Sequence, residues 1–462
     1  MSFDTPGYVL FLAAVVLLYR YCPVRFRRAL LLGASLFFYA CWSLPLTLVI
    51  LGVVGWTFCC ALGVEKARFP KTAKIWLFAA VAGCVGLLVW FKYFNFLASA
   101  LAGLFGGTWT AWNILLPVGC SFYTFQAMSY VIDVYRGKLK AVRHPGRYVL
   151  YICFFPQLVA GPIERAEALM PQLDDAPDPS AEDMRQGLRL LLSGWFRKLV
   201  IADLAAPAVN RIFAAARPDG SAVFLGALLF SFQIYCDFAG YSDIARGSAY
   251  LLGIRLRKNF DRPYLARTVR TFWRRWHMSL SAWFTDYVYI PLGGSRRGRA
   301  RQVAAVMSVF LLSGLWHGAG WTFVLWGLYH GVLCTAEILL GRQEGGEGRR
   351  SAADRIRWLF TGALVLFSWI MFRAENLGHF SVLLGSLFSA WDLRAGLALT
   401  ALDWPEAACL ALALAQLPLL NRLSGREKVS GMTCVFLVFC ILAAWFVRAA
   451  GHGSGAFIYF QF

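Results

Sequence analysis

The 462-residue chain reads as an all-α polytopic membrane protein. Hydrophobic residues make up 59% of it and charged residues only 15%, against roughly 25% in soluble domains. Mean hydropathy is +0.57. The basic residues, which bring the formal net charge to +20, cluster in short loops between apolar runs. That is the positive-inside distribution, and it predicts contact with membrane lipids and no nucleic-acid partner.

Taken in order, the candidate spans are Gly7–Tyr19, Ala29–Trp42, Leu46–Val64, Ile75–Phe91, Leu115–Ile132, Ala222–Phe238, Val303–Trp316, Trp358–Phe372, Ala407–Leu420 and Met432–Val447. The opening MSFDTPG has no basic n-region, so the first run is expected to be a retained helix, not a cleaved signal. A full crossing takes about 20 apolar residues, and several runs are shorter. These are expected to be re-entrant or partly buried, which gives about ten to twelve crossings or deep insertions. Basic clusters at Arg20–Arg28, Glu65–Lys74, Arg136–Arg147, Arg255–Arg275, Arg296–Arg301, Arg342–Arg357 and Arg422–Lys428 mark the cytoplasmic side. The first cluster follows the first run and the last precedes the last run. Both termini are therefore expected outside, after an even number of crossings.

No soluble domain is evident. We read 1–462 as one integral membrane domain, with N-terminal spans over 1–110, a core over 111–340 and C-terminal spans over 341–462. The polar stretches PQLDDAPDPSAEDMRQ (Pro171–Gln186) and GRQEGGEGRRSAADR (Gly341–Arg355) read as loops. No long internal repeat is present, which weighs against a transporter of repeated halves. Between Leu251 and Arg301, arginines interleave with Trp and Phe, as in a helix lying in the membrane interface, broken at Pro263. Pro291, Gly293 and Gly294 then force a turn, so this region is expected at the cytoplasmic face, dipping inward near His277.

Twelve cysteines are scattered without a C-x-x-C pair, so no metal site or disulfide framework is expected. Of six histidines, His144, His379 and His452 lie in polar or Gly-rich connections. His277, His317 and His330 lie in apolar sequence, where an ionisable group is a functional candidate; a packed, hydrogen-bonded histidine is the alternative. Burial favours a neutral imidazole that can accept a proton. Gly314, Gly318 and Gly320 around His317 allow a helix or a long substrate to approach closely. On one continuous helix His330 would lie roughly 220° around from His317, so the two are expected to face different ways. Gln233, Asp237 and Tyr241 recur at i, i+4 and i+8, on one helix face that must look inward. Structural bonding to an Arg or Trp, or substrate contact, would explain that stripe. Walker, H-E-x-x-H and G-x-S-x-G motifs are absent from the sequence.

Five stretches together resemble the membrane-bound O-acyltransferases, and within them the bacterial branch concerned with alginate O-acetylation. They are LPVGCSFYTFQAMSYVIDVYRG (Leu116–Gly137), FFPQLVAGPIERA (Phe154–Ala166), QIYCDFAGYSDIARG (Gln233–Gly247), NFDRPYLARTVRTFWRRWHMSLSAWFTDYVYIPLGG (Asn259–Gly294) and GLWHGAGWTFVLWGLYHG (Gly314–Gly331). The ending FIYFQF (Phe457–Phe462) is similar to that branch as well. The resemblance implies a multi-helix bundle around a central tunnel, with re-entrant and interfacial helices. It places the family's membrane histidine on His317 and its second motif position on His277, as the expected catalytic pair. His317 would act as general base or acyl relay, with no metal and no tightly bound cofactor.

The acyl donor implied is acetyl-CoA, arriving from the cytosol near Arg274, Arg275, Arg296 and Arg297; lipid headgroups would explain those arginines equally well. Trp316, Trp321, Asp237, Tyr241 and Gln233 are the further expected substrate contacts. The function implied is that of an inner-membrane O-acetyltransferase, passing acetyl to a periplasmic acetyltransferase or small membrane acceptor protein, and through it to an exported polysaccharide. Two rivals stand beside it. One is an acyltransferase for cellulose, peptidoglycan or D-alanylated teichoic acid. The other, of a different class, is a transporter or polysaccharide export channel.

Overall fold

The computed structural model describes residues 1–159, 161–341, 351–389, 391–401, 407, 410, 411, 414, 415 and 431–449. The Arg422–Lys428 cluster, His452, FIYFQF and most of the Ala407–Leu420 run lie outside these residues. Among the described residues every regular element is helical. In chain order they are α1 (Pro6–Tyr21), α2 (Val24–Ala40), α3 (Leu44–Lys66), α4 (Pro70–Leu88), α5 (Phe94–Leu104), α6 (Cys120–Tyr135), α7 (Pro145–Cys153), α8 (Phe155–Leu158), α9 (Ala166–Asp175), α10 (Ala181–Trp195), α11 (Asp203–Ala214), α12 (Gly220–Tyr250), α13 (Val269–Arg275), α14 (Met278–Phe284), α15 (Arg299–His317), α16 (Trp321–Leu339), α17 (Ala352–Arg373), α18 (Leu377–Leu387), α19 (Leu393–Thr400) and α20 (Gly431–Ala449). Short π-helical turns follow α4 at Val89–Tyr93, α10 at Phe196–Ala202 and α14 at Thr285–Tyr289.

Nine of the ten expected spans fall on helices, most of them longer than the apolar run that announced them. Among the described residues five segments are both long and apolar enough to cross a membrane: Leu44–Lys66, Pro70–Leu104, Gly220–Tyr250, Trp321–Leu339 and Ala352–Arg373. The other described runs occupy helices that are shorter or less apolar. The chain divides into two units, Met1–Leu191 with Ile244–Arg257, and Leu192–Asp243 with Lys258–Phe462.

In the first unit, helix starts are set by side-chain caps. Thr5 accepts from the Tyr8 amide and Ser43 from that of Leu46, each supplying a partner that the first helical turn lacks. The core is rich in tyrosine, and each hydroxyl needs a partner once buried. Tyr148 packs with its ring tilted 4.5 Å from Tyr130 and shares a 2.9 Å hydrogen bond with Thr57, while Tyr8 bonds Ser248 at 2.7 Å. The expected loop Pro171–Gln186 is mostly helix, belonging to α9 and α10. Its acidic residues order it: Asp178 pairs with the buried Arg27 at 2.7 Å, and Asp183 exchanges cap bonds with Ser180 and pairs with Arg255 at 3.0 Å.

In the second unit, α15 and α16 form an antiparallel hairpin joined at Gly318–Gly320. A Cβ on Gly314 would run into the Phe323 carbonyl oxygen, and one on Gly327 into that of Phe310. A Cβ on Gly318 would strike the Phe323 ring. The space beside Gly314 and Gly318 is thus filled by α16, so these two glycines serve helix packing and not an open approach for substrate. The Leu251–Arg301 segment is not one broken interfacial helix. It is a non-helical stretch followed by α13, α14 and short turns, because its polar backbone groups find side-chain partners in Glu337 of α16 and in Asn259 of the segment itself.

Replacing Gly314 with Ala is therefore expected to destabilise the protein by about 1–3 kcal/mol, the usual cost of overpacking. Gly362, on α17, is the matched control, since a Cβ there would enter open space with no neighbour within 4 Å. Thermal unfolding in detergent should show a lower midpoint for Gly314→Ala and no such drop for Gly362→Ala.

Candidate active site

The site is assembled on helix ends of the second unit. α13 starts where Thr268 caps the Thr271 amide at 3.1 Å and the Glu337 carboxylate, from α16, accepts from the amides of Val269 and Arg270 at 2.7 and 3.0 Å. A carboxylate there meets both the free N–H groups and the positive end of the helix dipole. α13 carries Trp273 inward, and its indole N–H donates to His330 Nδ1 over 3.2 Å.

α13 ends at Arg275, and His277 is the hinge to α14. Its backbone is left-handed, with φ +43° and ψ +53°. Such a conformation costs a non-glycine residue on the order of 1–3 kcal/mol and is tolerated where surrounding structure fixes it. The imidazole is 1% exposed and meets the Phe238 ring edge-on at 4.6 Å. Burial pushes its pKa down to about 3, so it is neutral at physiological pH.

From His277 a continuous column of rings leads to His330. His277 lies 5.6 Å from Trp316, Trp316 lies 5.0 Å from His317, and His317 lies 5.0 Å from Trp326. Trp326 in turn lies 4.9 Å from His330. Phe372 closes on His317 at 5.4 Å. The expectation that His317 and His330 face different ways assumed one continuous helix. The helix ends at His317, α16 folds back, and the two imidazoles flank the same indole.

Of the other expected contacts, Trp316 is in this column and Trp321 is 55% exposed at the start of α16. Arg274 is exposed and donates to Thr271 Oγ1 at 2.8 Å; Arg275 is half-buried. Asp237 and Tyr241 do share an inward face of α12, and both meet a buried cation. It is Lys198, whose ammonium lies 2.8 Å from Asp237 and 5.7 Å from the centre of the Tyr241 ring. Lys198 also pairs with Asp203 at 2.8 Å, and the adjacent Arg197 pairs with Asp243. Gln233, one turn before Asp237 on α12, is half-buried.

Lys198, Arg197, Trp273, Trp326, Glu337 and Phe372 emerge only with the structure. The two adjacent cations in GWFRKLVIADL are nonetheless a usable signal, since a charge in apolar sequence needs a buried counter-charge. Among the described residues no three His, Cys, Asp or Glu side chains converge as metal ligands. His144 is exposed, and His379 Nδ1 accepts from the Glu375 amide at 3.3 Å; neither joins the column.

Residues 144–344 match the profile of MBOAT, the membrane-bound O-acyltransferase family. The chain is 37% identical over 388 residues to the probable alginate O-acetylase AlgI of Pseudomonas putida, an alignment covering 83% of this chain and 79% of that protein. It is 32% identical to the peptidoglycan O-acetyltransferase of Helicobacter pylori, over 76% of this chain and 72% of that one. The teichoic acid D-alanyltransferase of Bacillus subtilis is 31% identical over 48% of this chain and 59% of its own length.

The left-handed hinge yields a prediction that separates fold from chemistry. Both His277→Gly and His277→Ala remove the ring, but only glycine adopts the hinge conformation without strain. His277→Gly is expected to be about 1 kcal/mol more stable than His277→Ala, read as a higher unfolding midpoint in the same detergent. Equal midpoints would mean that the hinge is unstrained.

Proposed function

The chain belongs to the membrane-bound O-acyltransferase family and is a multi-pass membrane O-acyltransferase, and from that premise we propose that it takes acetyl from cytosolic acetyl-CoA and delivers it for O-acetylation of an exported, alginate-like polysaccharide. The observation that carries the choice of acetyl and glycan is the 37% identity to alginate O-acetylases over most of both chains, higher than to the peptidoglycan and teichoic acid relatives. The acceptor next in line is a hydroxyl on a periplasmic acetyltransferase or a small membrane protein. The basic clusters support an inner-membrane setting with both termini periplasmic.

His317 is the proposed general base. A hydroxyl oxygen attacks the thioester carbonyl while the imidazole takes its proton; the C–S bond breaks, and the proton passes to the leaving thiolate. General-base catalysis typically contributes about 10²–10⁴-fold. His277, with its ring one indole away and neutral, assists in orienting the reacting groups. The exposed Arg274 and its neighbour Arg275 suit the diphosphate of the donor.

Two measurements test this reading. Purified protein with acetyl-CoA, with water in place of the acceptor hydroxyl, should release free thiol and acetate, and His317→Ala should lower the rate by at least about 10²-fold while leaving a folded protein. Thiol release unchanged in that variant would remove His317 from the chemistry. Neutralising Arg274 and Arg275 together should weaken donor affinity and flatten its dependence on ionic strength, because exposed charge attraction is screened by salt. Unchanged affinity would assign both arginines to lipid.

A further inference from the structure

The His277 hinge is held by a residue that takes no part in the acyl-transfer step itself. Asn259, 1% exposed, lies in the non-helical stretch before α13. Its backbone carbonyl accepts from the Met278 amide at 2.9 Å, and its side-chain Oδ1 accepts from the Ser279 amide at 3.3 Å. Those are the first two amides after His277, at the start of α14. On its other side, Asn259 Nδ2 donates to Ser242 Oγ, on α12, at 3.1 Å. A second backbone bond, from the Asp261 amide to the Arg275 carbonyl at 2.9 Å, ties the same stretch to the residue two before the hinge.

From this geometry we propose that Asn259 is a positioning residue for His277, fixing its imidazole against Trp316 by clamping the left-handed hinge to α12. Asparagine is suited to this role because one side chain supplies an acceptor for the helix and a donor for Ser242 at once. α12 also carries Phe238, whose ring packs on the His277 imidazole. Backbone and ring of His277 are thus referred to one helix, through Ser242 and Phe238, four residues apart. Loss of the Asn259 side chain leaves its backbone bond to Met278 intact, so the protein is expected to fold with a looser hinge.

The inference rests on the reading that His277 takes part in acyl transfer, and the test keeps the two apart. The full-length protein in detergent is assayed for thiol release from acetyl-CoA as wild type, Asn259→Ala, Asn259→Asp and His277→Ala. Asn259→Ala should lower kcat roughly 10- to 100-fold with KM little changed, as expected when a catalytic group is misplaced and not removed. Asn259→Asp retains the Ser279 acceptor and should recover most of that loss. Independently of turnover, site-resolved carbethoxylation by diethyl pyrocarbonate, read by mass spectrometry, should show His277 modified faster in Asn259→Ala while His330 stays protected.

If His277→Ala turns over like wild type, the catalytic reading of His277 fails and the kinetic part of the inference falls with it. If His277→Ala is impaired but Asn259→Ala has wild-type kcat and an unchanged His277 modification rate, the positioning role alone is overturned. Equal acceleration at His277 and His330 would show general loosening and would overturn it as well.

Discussion

A helix that ends in apolar surroundings leaves backbone N–H and C=O groups without partners, and each costs free energy if none is found. A site made of side chains at helix ends must solve that problem first. Here α13 begins on the Glu337 carboxylate and α14 begins on Asn259. α15 ends at His317 with the Gly318 amide bonded back to the Gly314 carbonyl at 3.3 Å. The two capping side chains, Glu337 and Asn259, are themselves buried, and they lock the ends they cap. The imidazoles inherit their positions from these ends.

The same constraint applies to charge. Two cations follow one another in the π-helical turn after α10, and α12 answers them with Asp237 and Asp243. π-helical turns tend to mark functional sites in helices. This one lets adjacent residues both reach a single facing helix. Close approach makes that possible: a Cβ on Gly240 would meet the Gly194 carbonyl oxygen at 2.8 Å. Removing one partner of such a pair leaves an uncompensated buried charge, typically a loss of about 3–5 kcal/mol. α12 therefore does more than cross the apolar layer. It neutralises Lys198 and Arg197, anchors Asn259 through Ser242, and presents Phe238 to His277.

Apolar runs announce helices because both obey the same transfer energetics, and the helix-bearing runs are legible for that reason. The inward stripe of Gln233, Asp237 and Tyr241 is legible from its period. Its partner is not, since Lys198 lies 39 positions before Asp237 in sequence and nothing local joins them. The polar stretch at Pro171–Gln186 reads as loop because its composition is polar, yet ion pairs to Arg27 and Arg255 make helix ends of it. The basic, aromatic segment after Leu251 misleads in the opposite sense. Its pattern suits an interfacial helix, but tertiary bonds to Asn259 and Glu337 satisfy a broken backbone instead. The break between His317 and Trp321 is written in Gly318 and Gly320, and reading through it puts His330 on the wrong side of the column.

The hairpin brings two imidazoles to Trp326, and their chemistry differs. His330 Nδ1 accepts from the Trp273 indole, which can only donate, so a neutral His330 carries its proton on Nε2. A neutral imidazole has one basic nitrogen, and in His330 that nitrogen is occupied. To act as a base, His330 would first have to release Trp273, a side chain that also packs 5.3 Å from Trp326. Its bond therefore stabilises the column at the expense of reactivity. His317, at a helix end and between Trp316, Trp326 and Phe372, is held by the faces and edges of rings on three sides.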